Sequence, residues 1–223
     1  MLVTSLSAFA LYHGIGTDSQ CKVRPSVVSS GASWERQVLL RARACAGDLG
    51  VASRAVELAQ KAAYEKGAPD ALEIHRLRLR MQQELARERA GHFDLKTGYG
   101  GLLDVEFAAQ WLQMAYGIDI RIRTTNTEDA LGKLFECGYL PREQFQLLRD
   151  AYVFLRQLEQ RQFILYGRSS TAFDIASTNW PRLARRMHLL DSPRAPAAEL
   201  LSARYRDVTH AVRGSYLSIL GIS

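Results

Sequence analysis

The stretch "PREQFQLLRDAYVFLRQLEQRQFILYG", residues 141 to 167, restricts the fold more than any other part of the chain. Phe145, Leu148, Tyr152, Leu155, Leu158 and Phe163 recur at near-helical spacing, and Pro141 stands where a first helical turn tolerates a missing N–H. A helix of this length with one apolar stripe must be covered by other elements, and the remaining sequence supplies mainly more helices.

From Trp34 the pattern is helical. Trp34, Val38 and Arg41 share one face, Leu39, Ala42 and Cys45 or Ala46 extend it, Ser33 is a candidate N-cap and Gly47 a candidate stop. "VASRAVELAQKAAYEKG" reads as a second helix ended by Gly67. "PDALEIHRLRLRMQQELARERAG" reads as a third, with Ile74, Leu77, Met81 and Leu85 on one stripe. Its fragment "RLRLR" alternates like a strand, but the helical flanks are longer. The charge run "RLRLRMQQELARERA" is read as a solvated face. "LLDVEFAAQWLQMAYG" and "TTNTEDALGKLFECG" follow as helices, the second capped by Asn126 or Thr127 and ended by Gly138. After the long helix come the short "WPRLARRMHLL" and a closing helix with Leu200, Tyr205, Val208, Val212 and Tyr216 near one face. Trp111, Tyr116, Phe135, Tyr152 and Phe154 are read as core. Strand signals are limited to "MLVTSL" and "IDIRIRT", and no fixed-period repeat is present. The expected fold class is all-α, an antiparallel helical bundle around one core with at most a remnant strand at the N-terminus.

Between the third and fourth helices lies "KTGYGGLLDVEF", residues 96 to 107. Gly98, Gly100 and Gly101 free the backbone for positive φ and close approach, and the following helix would point its first N–H groups back toward the loop. An anion is favoured at such an end, and Lys96 adds a full positive charge. A glycine-rich lead into a helix with an acidic first turn is equally a structural device. The loop is neither a Walker A motif nor G-x-G-x-x-G. Asp104 and Glu106 stand two apart and diverge by ~200° on a helix, so the two alone do not make a paired-carboxylate magnesium site.

The three cysteines, Cys21, Cys45 and Cys137, form no Cys-x-x-Cys, and the five histidines show no zinc spacing. No metal held by His or Cys and no disulfide framework are expected, and a reducing cytoplasm is the natural compartment. The net charge of +6 is a mild basic excess, with no nucleic-acid partner expected. The apolar start "MLVTSLSAFALYHG" lacks a basic n-region, and no run approaches the roughly 20 apolar residues of a membrane span, so no membrane partner is expected.

Taken in order, "LVTSLSAFALYH", "WERQVLLRARACAGD", "DLKTGYGGLLDVEFAAQWLQ", "TTNTEDALGKLFECGYL" and "LLRDAYVFLRQLEQRQ" resemble the bifunctional glutamine-synthetase adenylyltransferase/deadenylylating enzymes. The most specific pattern is carried by Lys96, Gly98, Gly100, Gly101, Asp104, Glu106 and Phe107, and a looser form occurs in PII uridylyltransferases. The resemblance implies AMP transfer from ATP to a tyrosine of glutamine synthetase, or its phosphorolytic removal, with Mg²⁺ held by acidic residues. It implies ATP and Mg²⁺ as cofactors of the parent family, none expected tightly bound here. Glutamine synthetase is the implied partner, with a PII signalling protein as a further one.

The family's Gly-Ser-x-x-Asp-x-Asp motif is absent from the sequence, and Asp18 is the only acid before Glu35. The expectation is therefore a helical portion that is inactive alone, completed by a nucleotidyltransferase domain as partner, with no catalytic residue of its own. Residues 1–33 would be a remnant of that domain plus a Gly/Ser/Pro loop, 34–94 connecting helices, and 95–223 a bundle opened by the Lys/Gly loop. Lys96, Gly98, Gly100, Gly101, Arg41 and Arg43 are the candidate nucleotide-side residues. Asp104 and Glu106 are the candidates for orienting the loop or approaching a metal. The competing reading is a non-catalytic helical module that binds glutamine synthetase or a PII protein.

Overall fold

Asp48, Asp70 and Asn126 each set a helix start by accepting hydrogen bonds from the first-turn N–H groups that have no partner within the helix. The computed structural model describes residues 33–86, 88–167 and 171–222. The expected strand "MLVTSL" and nearly all of the 1–33 segment lie outside these residues. The described helices are α1 (Ser33–Leu39), α2 (Leu49–Tyr64), α3 (Ala71–Met81), α4 (Leu102–Ala115), α5 (Thr127–Glu136), α6 (Arg142–Tyr166), α7 (Trp180–Arg186) and α8 (Ala197–Leu220). The mostly helical class read from the sequence holds. None of these helices is long and apolar enough to cross a membrane.

Several boundaries differ from the sequence reading. Helix α1 stops at Leu39, well before Gly47, because Arg43 and the residues that follow are exposed and have no buried face to hold them helical. Helix α3 passes into a π-helical turn, Gln82–Ala86. The wider turn shifts the phase, so Leu85 is 52% exposed and Ala86 is buried in its place. The "IDIRIRT" segment forms a 3₁₀ turn, Ile120–Ile122, in which Ile122 alone of its isoleucines is buried. Instead, β1 (His92–Asp94) pairs antiparallel with β2 (Ala172–Asp174), with Phe93 opposite Phe173. Three-residue strands are too short to leave a readable alternation.

Helix α4 is the hub, buried on nearly every side and packed against α1, α2, α3, α5, α6 and α8. That explains why its sequence is apolar all round rather than striped. The core is two clusters rather than one. The first joins α4 to α5, the start of α6 and the end of α8, through Phe107, Leu131, Leu134, Leu148 and Tyr216, and includes Leu40, Tyr64 and Ile74 from the α1–α3 region. The second packs Phe154, Leu155 and Leu158 of α6 against Trp180 and Leu183 of α7 and Tyr205 of α8, with Phe173 stacked on Trp180 at 4.6 Å. Leu95 and Leu102 belong to the second cluster and Leu103 to the first, so the Lys/Gly loop sits where the two meet.

Besides Leu85, three residues expected on a buried face are exposed: Phe163 at 52%, Leu200 at 36% and Tyr116 at 42%. Tyr116 stacks on Tyr139 at the surface instead.

Leu148→Ala should therefore lower stability in urea unfolding by about 2–5 kcal/mol, because it leaves a cavity at a fully buried site. Phe163→Ala on the same helix should change it by about 0.5 kcal/mol or less. Equal losses would contradict this packing.

Candidate functional site

The Lys/Gly loop is tied down residue by residue. Asp94 Oδ1 accepts from the N–H of Lys96 (2.9 Å) and of Thr97 (2.6 Å), and the Asp94 carbonyl accepts from Gly98 N–H. Glu88 accepts from Tyr99 N–H at 2.9 Å and Asp104 from Gly100 N–H at 2.9 Å. Gly101, Leu102, Leu103 and Asp104 donate to the carbonyls of Gly98, Leu95, Lys96 and Gly101. Every backbone N–H from Lys96 to Asp104 thus has a partner within the chain. The sequence reading had the first N–H groups of α4 open to an anion. The loop's own carbonyls occupy that place, a short-range pairing that residue types alone do not reveal.

The glycines serve close approach, but to protein. Gly100 has φ +62°, and a Cβ there would stand 1.8 Å from the Thr209 carbonyl oxygen of α8. A Cβ at Gly98 would stand 2.3 Å from the Asp94 carbonyl oxygen.

Beneath the loop, Asp104 is fully buried and holds two arginines. Arg78 Nε of α3 lies 2.5 Å from Oδ1, and Arg213 Nε of α8 lies 2.9 Å from Oδ2. Arg78 also donates to the Gly98 carbonyl at 2.6 Å, and Arg213 to Gln82 Oε1 of the π turn at 2.5 Å. The Arg213 guanidinium lies 4.8 Å from the centre of the Tyr99 ring. Burial pushes the Asp104 carboxyl above its ordinary value, against the pull of Arg78, Arg213 and the Gly100 N–H, and pushes Arg78 downward against the pull of Asp104. Such a group is weak evidence for net stability, but removing one member strands buried charge.

Glu106 faces elsewhere. Its carboxylate bridges Arg41 (3.3 Å) and Arg156 (3.1 Å), and Arg41 also donates to Thr127 Oγ1 at 3.0 Å. The structure thus groups Lys96, Gly98, Gly100, Gly101 and Asp104 in one unit and Arg41 with Glu106 in another, while Arg43 is exposed beyond α1. The Lys96 side chain is exposed, with no ion-pair partner among the described residues. The two carboxylates do not fit a magnesium ion, because each already binds two guanidiniums. Among the described residues no group of three or more His, Cys, Asp or Glu side chains is placed to hold a metal.

Arg78 and Arg213 were missed in the sequence, where the run containing Arg78 reads as a solvated face; Arg78 is 0% exposed. A signal was present. Arg78 is four residues from Ile74 on the apolar stripe, and Arg213 is three residues before Tyr216. Arg156 likewise gave no sign of its pairing with Glu106.

Gly100→Ala should force α8 from the loop and cost about 3 kcal/mol or more, and Asp104→Ala should cost about 3–5 kcal/mol. Wild-type urea midpoints in either variant would remove the clamp. A second expectation concerns His75, whose Nδ1 lies 3.3 Å from the Tyr216 hydroxyl. Burial pushes its pKa below 6.5, with Arg213 and Arg78 adding to the shift and Asp104 opposing it. The folded chain then binds fewer protons at His75 than the unfolded chain just below pH 6.5, so this contribution to stability falls as pH drops through that window. His75→Gln should flatten the pH slope of the unfolding midpoint. An identical slope in the variant would place the titration elsewhere.

The family described as GlnD PII-uridylyltransferase matches residues 75–219, which include the loop and both buried arginines. Among curated proteins, the chain is similar to the bifunctional glutamine synthetase adenylyltransferase/adenylyl-removing enzyme of Mycobacterium avium (strain 104), 34% identical over 181 residues, 78% of this chain and 18% of that protein. The same-named enzyme of Mycobacterium leprae (strain TN) is 36% identical over 177 residues, 76% of this chain and 17% of that one. That of Corynebacterium diphtheriae (strain ATCC 700971) is 35% identical over 176 residues, 77% and 17%. The chain spans less than a fifth of the length of these relatives. With the loop pattern inside the matched region, the chain belongs to the family that joins the PII uridylyltransferases to the bifunctional glutamine synthetase adenylyltransferase/adenylyl-removing enzymes.

Proposed function

We propose that this chain acts as the helical portion of a glutamine synthetase adenylyltransferase, with the Lys/Gly loop on the nucleotide side of the reaction. The observation that carries this reading is the exposed Lys96 on a loop whose every N–H is already engaged. A lysine on an immobile support can meet a phosphate with little ordering of the backbone, which suits in-line transfer, where positioning is most of the catalysis. In this reading Lys96 contacts the phosphates of ATP, and the glycines place it rather than touch the ligand. Arg41 serves to fix Glu106, and Arg43 is a solvent-facing cation at the rim.

Asp104 and Glu106 are anchors for arginines, so the Mg²⁺ that accompanies ATP in such chemistry would be held by other acids. The chain's own described residues then give positioning and no metal, and AMP transfer by this chain alone is expected to be negligible. Glutamine synthetase is the protein substrate, the setting is the cytoplasm, and a PII protein is a further candidate partner. The engaged loop amides also favour a second reading, a helical module that contacts glutamine synthetase or a PII protein without nucleotide.

Isothermal titration with ATP and Mg²⁺ at low salt separates the two. Binding that Lys96→Ala weakens by about tenfold or more supports the first reading. Binding that is unchanged in Lys96→Ala, or no binding at all, supports the second. Parallel incubation with labelled ATP and glutamine synthetase should give no labelled tyrosine; incorporation would overturn the claim of inactivity.

A further inference from the structure

Tyr99 lies inside the Lys/Gly loop, yet the packing of the loop does not absorb it. The residue is 39% exposed, although the glycines on either side, Gly98 and Gly100, are buried. Its backbone is fixed by Glu88 through the N–H, and its neighbours are fixed by Arg78 through Gly98 and by Asp104 through Gly100. The ring is fixed as well. The Arg213 guanidinium, 4% exposed and held by Asp104 and Gln82, stands 4.8 Å from the ring centre. The His210 ring stands 5.2 Å away at 60°, bracing it from α8. An exposed aromatic side chain ordinarily keeps its rotamer freedom. Here two α8 residues and a fully bonded loop have removed it before any ligand arrives, and the remainder of the ring stays in solvent.

A held aromatic surface of this kind matches one ligand chemistry well. Planar heteroaromatic bases stack on tyrosine faces irrespective of their hydrogen-bond pattern, and the gain is larger when the ring is already ordered. The exposed Lys96 precedes Tyr99 by three residues, a span of at most about 11 Å of chain. That separation suits a molecule with a flat base at one end and phosphates at the other. We propose that Tyr99 is the base-stacking platform of this loop, taking the purine of a nucleoside triphosphate whose phosphates meet Lys96. Arg213 and His210 are its positioning residues. This rests on the nucleotide-side reading of the loop given above and adds to it the residue that tells a nucleotide from bare polyphosphate.

The test compares ATP with inorganic tripolyphosphate, each with Mg²⁺, by isothermal titration of the full chain. The wild type should bind ATP about tenfold more tightly than tripolyphosphate. Tyr99→Ala should abolish that preference while leaving tripolyphosphate affinity unchanged, and Tyr99→Phe should keep it. Lys96→Ala should weaken both ligands together. Thermal unfolding of each variant separates a binding loss from a folding loss, since a ring that only covers Arg213 would lower the melting temperature of Tyr99→Ala and leave the ATP preference intact. That outcome overturns the platform. Equal, Lys96-dependent affinity for the two ligands in the wild type overturns the platform alone and leaves the nucleotide-side reading standing. Failure of both ligands to bind overturns the two together.

Discussion

One buried carboxylate organises the centre of this protein. Asp104 opens the hub helix, and through its two oxygens it fixes an arginine from α3, an arginine from α8 and the Gly100 N–H of the loop. Three elements far apart in sequence are thereby brought to one point. Two guanidiniums on one carboxylate is an unbalanced arrangement for a dry interior; Arg78 Nη2 is directed at the Gly98 carbonyl and Arg213 Nη2 at Gln82, while Arg78 Nη1 is buried without a hydrogen-bond partner. The hydrogen bonds to backbone and amide take up part of the unmatched donor capacity. Hydrophobic burial supplies the bulk of the driving force for such a fold, and the ionic cluster joins one turn of α3 and one turn of α8 to the loop.

Much of the helical architecture was legible in the sequence because its signals are local. Proline and glycine at the ends of α6, the Asn126 cap of α5 and the apolar spacing along α6 and α8 all act within a few residues. The π turn, the two three-residue strands and the early end of α1 were not legible, because each depends on partners distant in sequence. The strand at His92–Asp94 exists only because residues 172–174 lie beside it. Arg78 shows the same limit in sharper form. Its residue type argues for solvent, its helical phase argues for the core, and only the presence of Asp104 decides between them.

The loop was legible as a feature of the chain, and what its parts touch was not. Lys96, the glycines and Asp104 do form one unit, but the glycines admit the protein's own backbone, and the helix N-terminus is filled by carbonyls of the loop. Glycine content and helix position speak for close approach without saying what approaches. Asp104 and Glu106 illustrate how two carboxylates two residues apart take up unrelated tasks, one beneath the loop and one bridging Arg41, in the turn after α1, and Arg156 of α6. Their divergence follows from the helical period alone, whereas the identity of their partners depends on how distant helices pack.

The seat of Gly100 against the Thr209 carbonyl has a mechanical implication. Thr209 is near the middle of α8, a helix of 24 residues and therefore about 36 Å long. Backbone touches backbone at that seat, with no side chain between them to reorient and absorb a shift. A displacement of the loop is then passed to the middle of the rod, between Leu201 and Tyr205 in one core cluster and Val212 and Tyr216 in the other. Because the contact is central, a push there loads both clusters in the same direction and not one against the other.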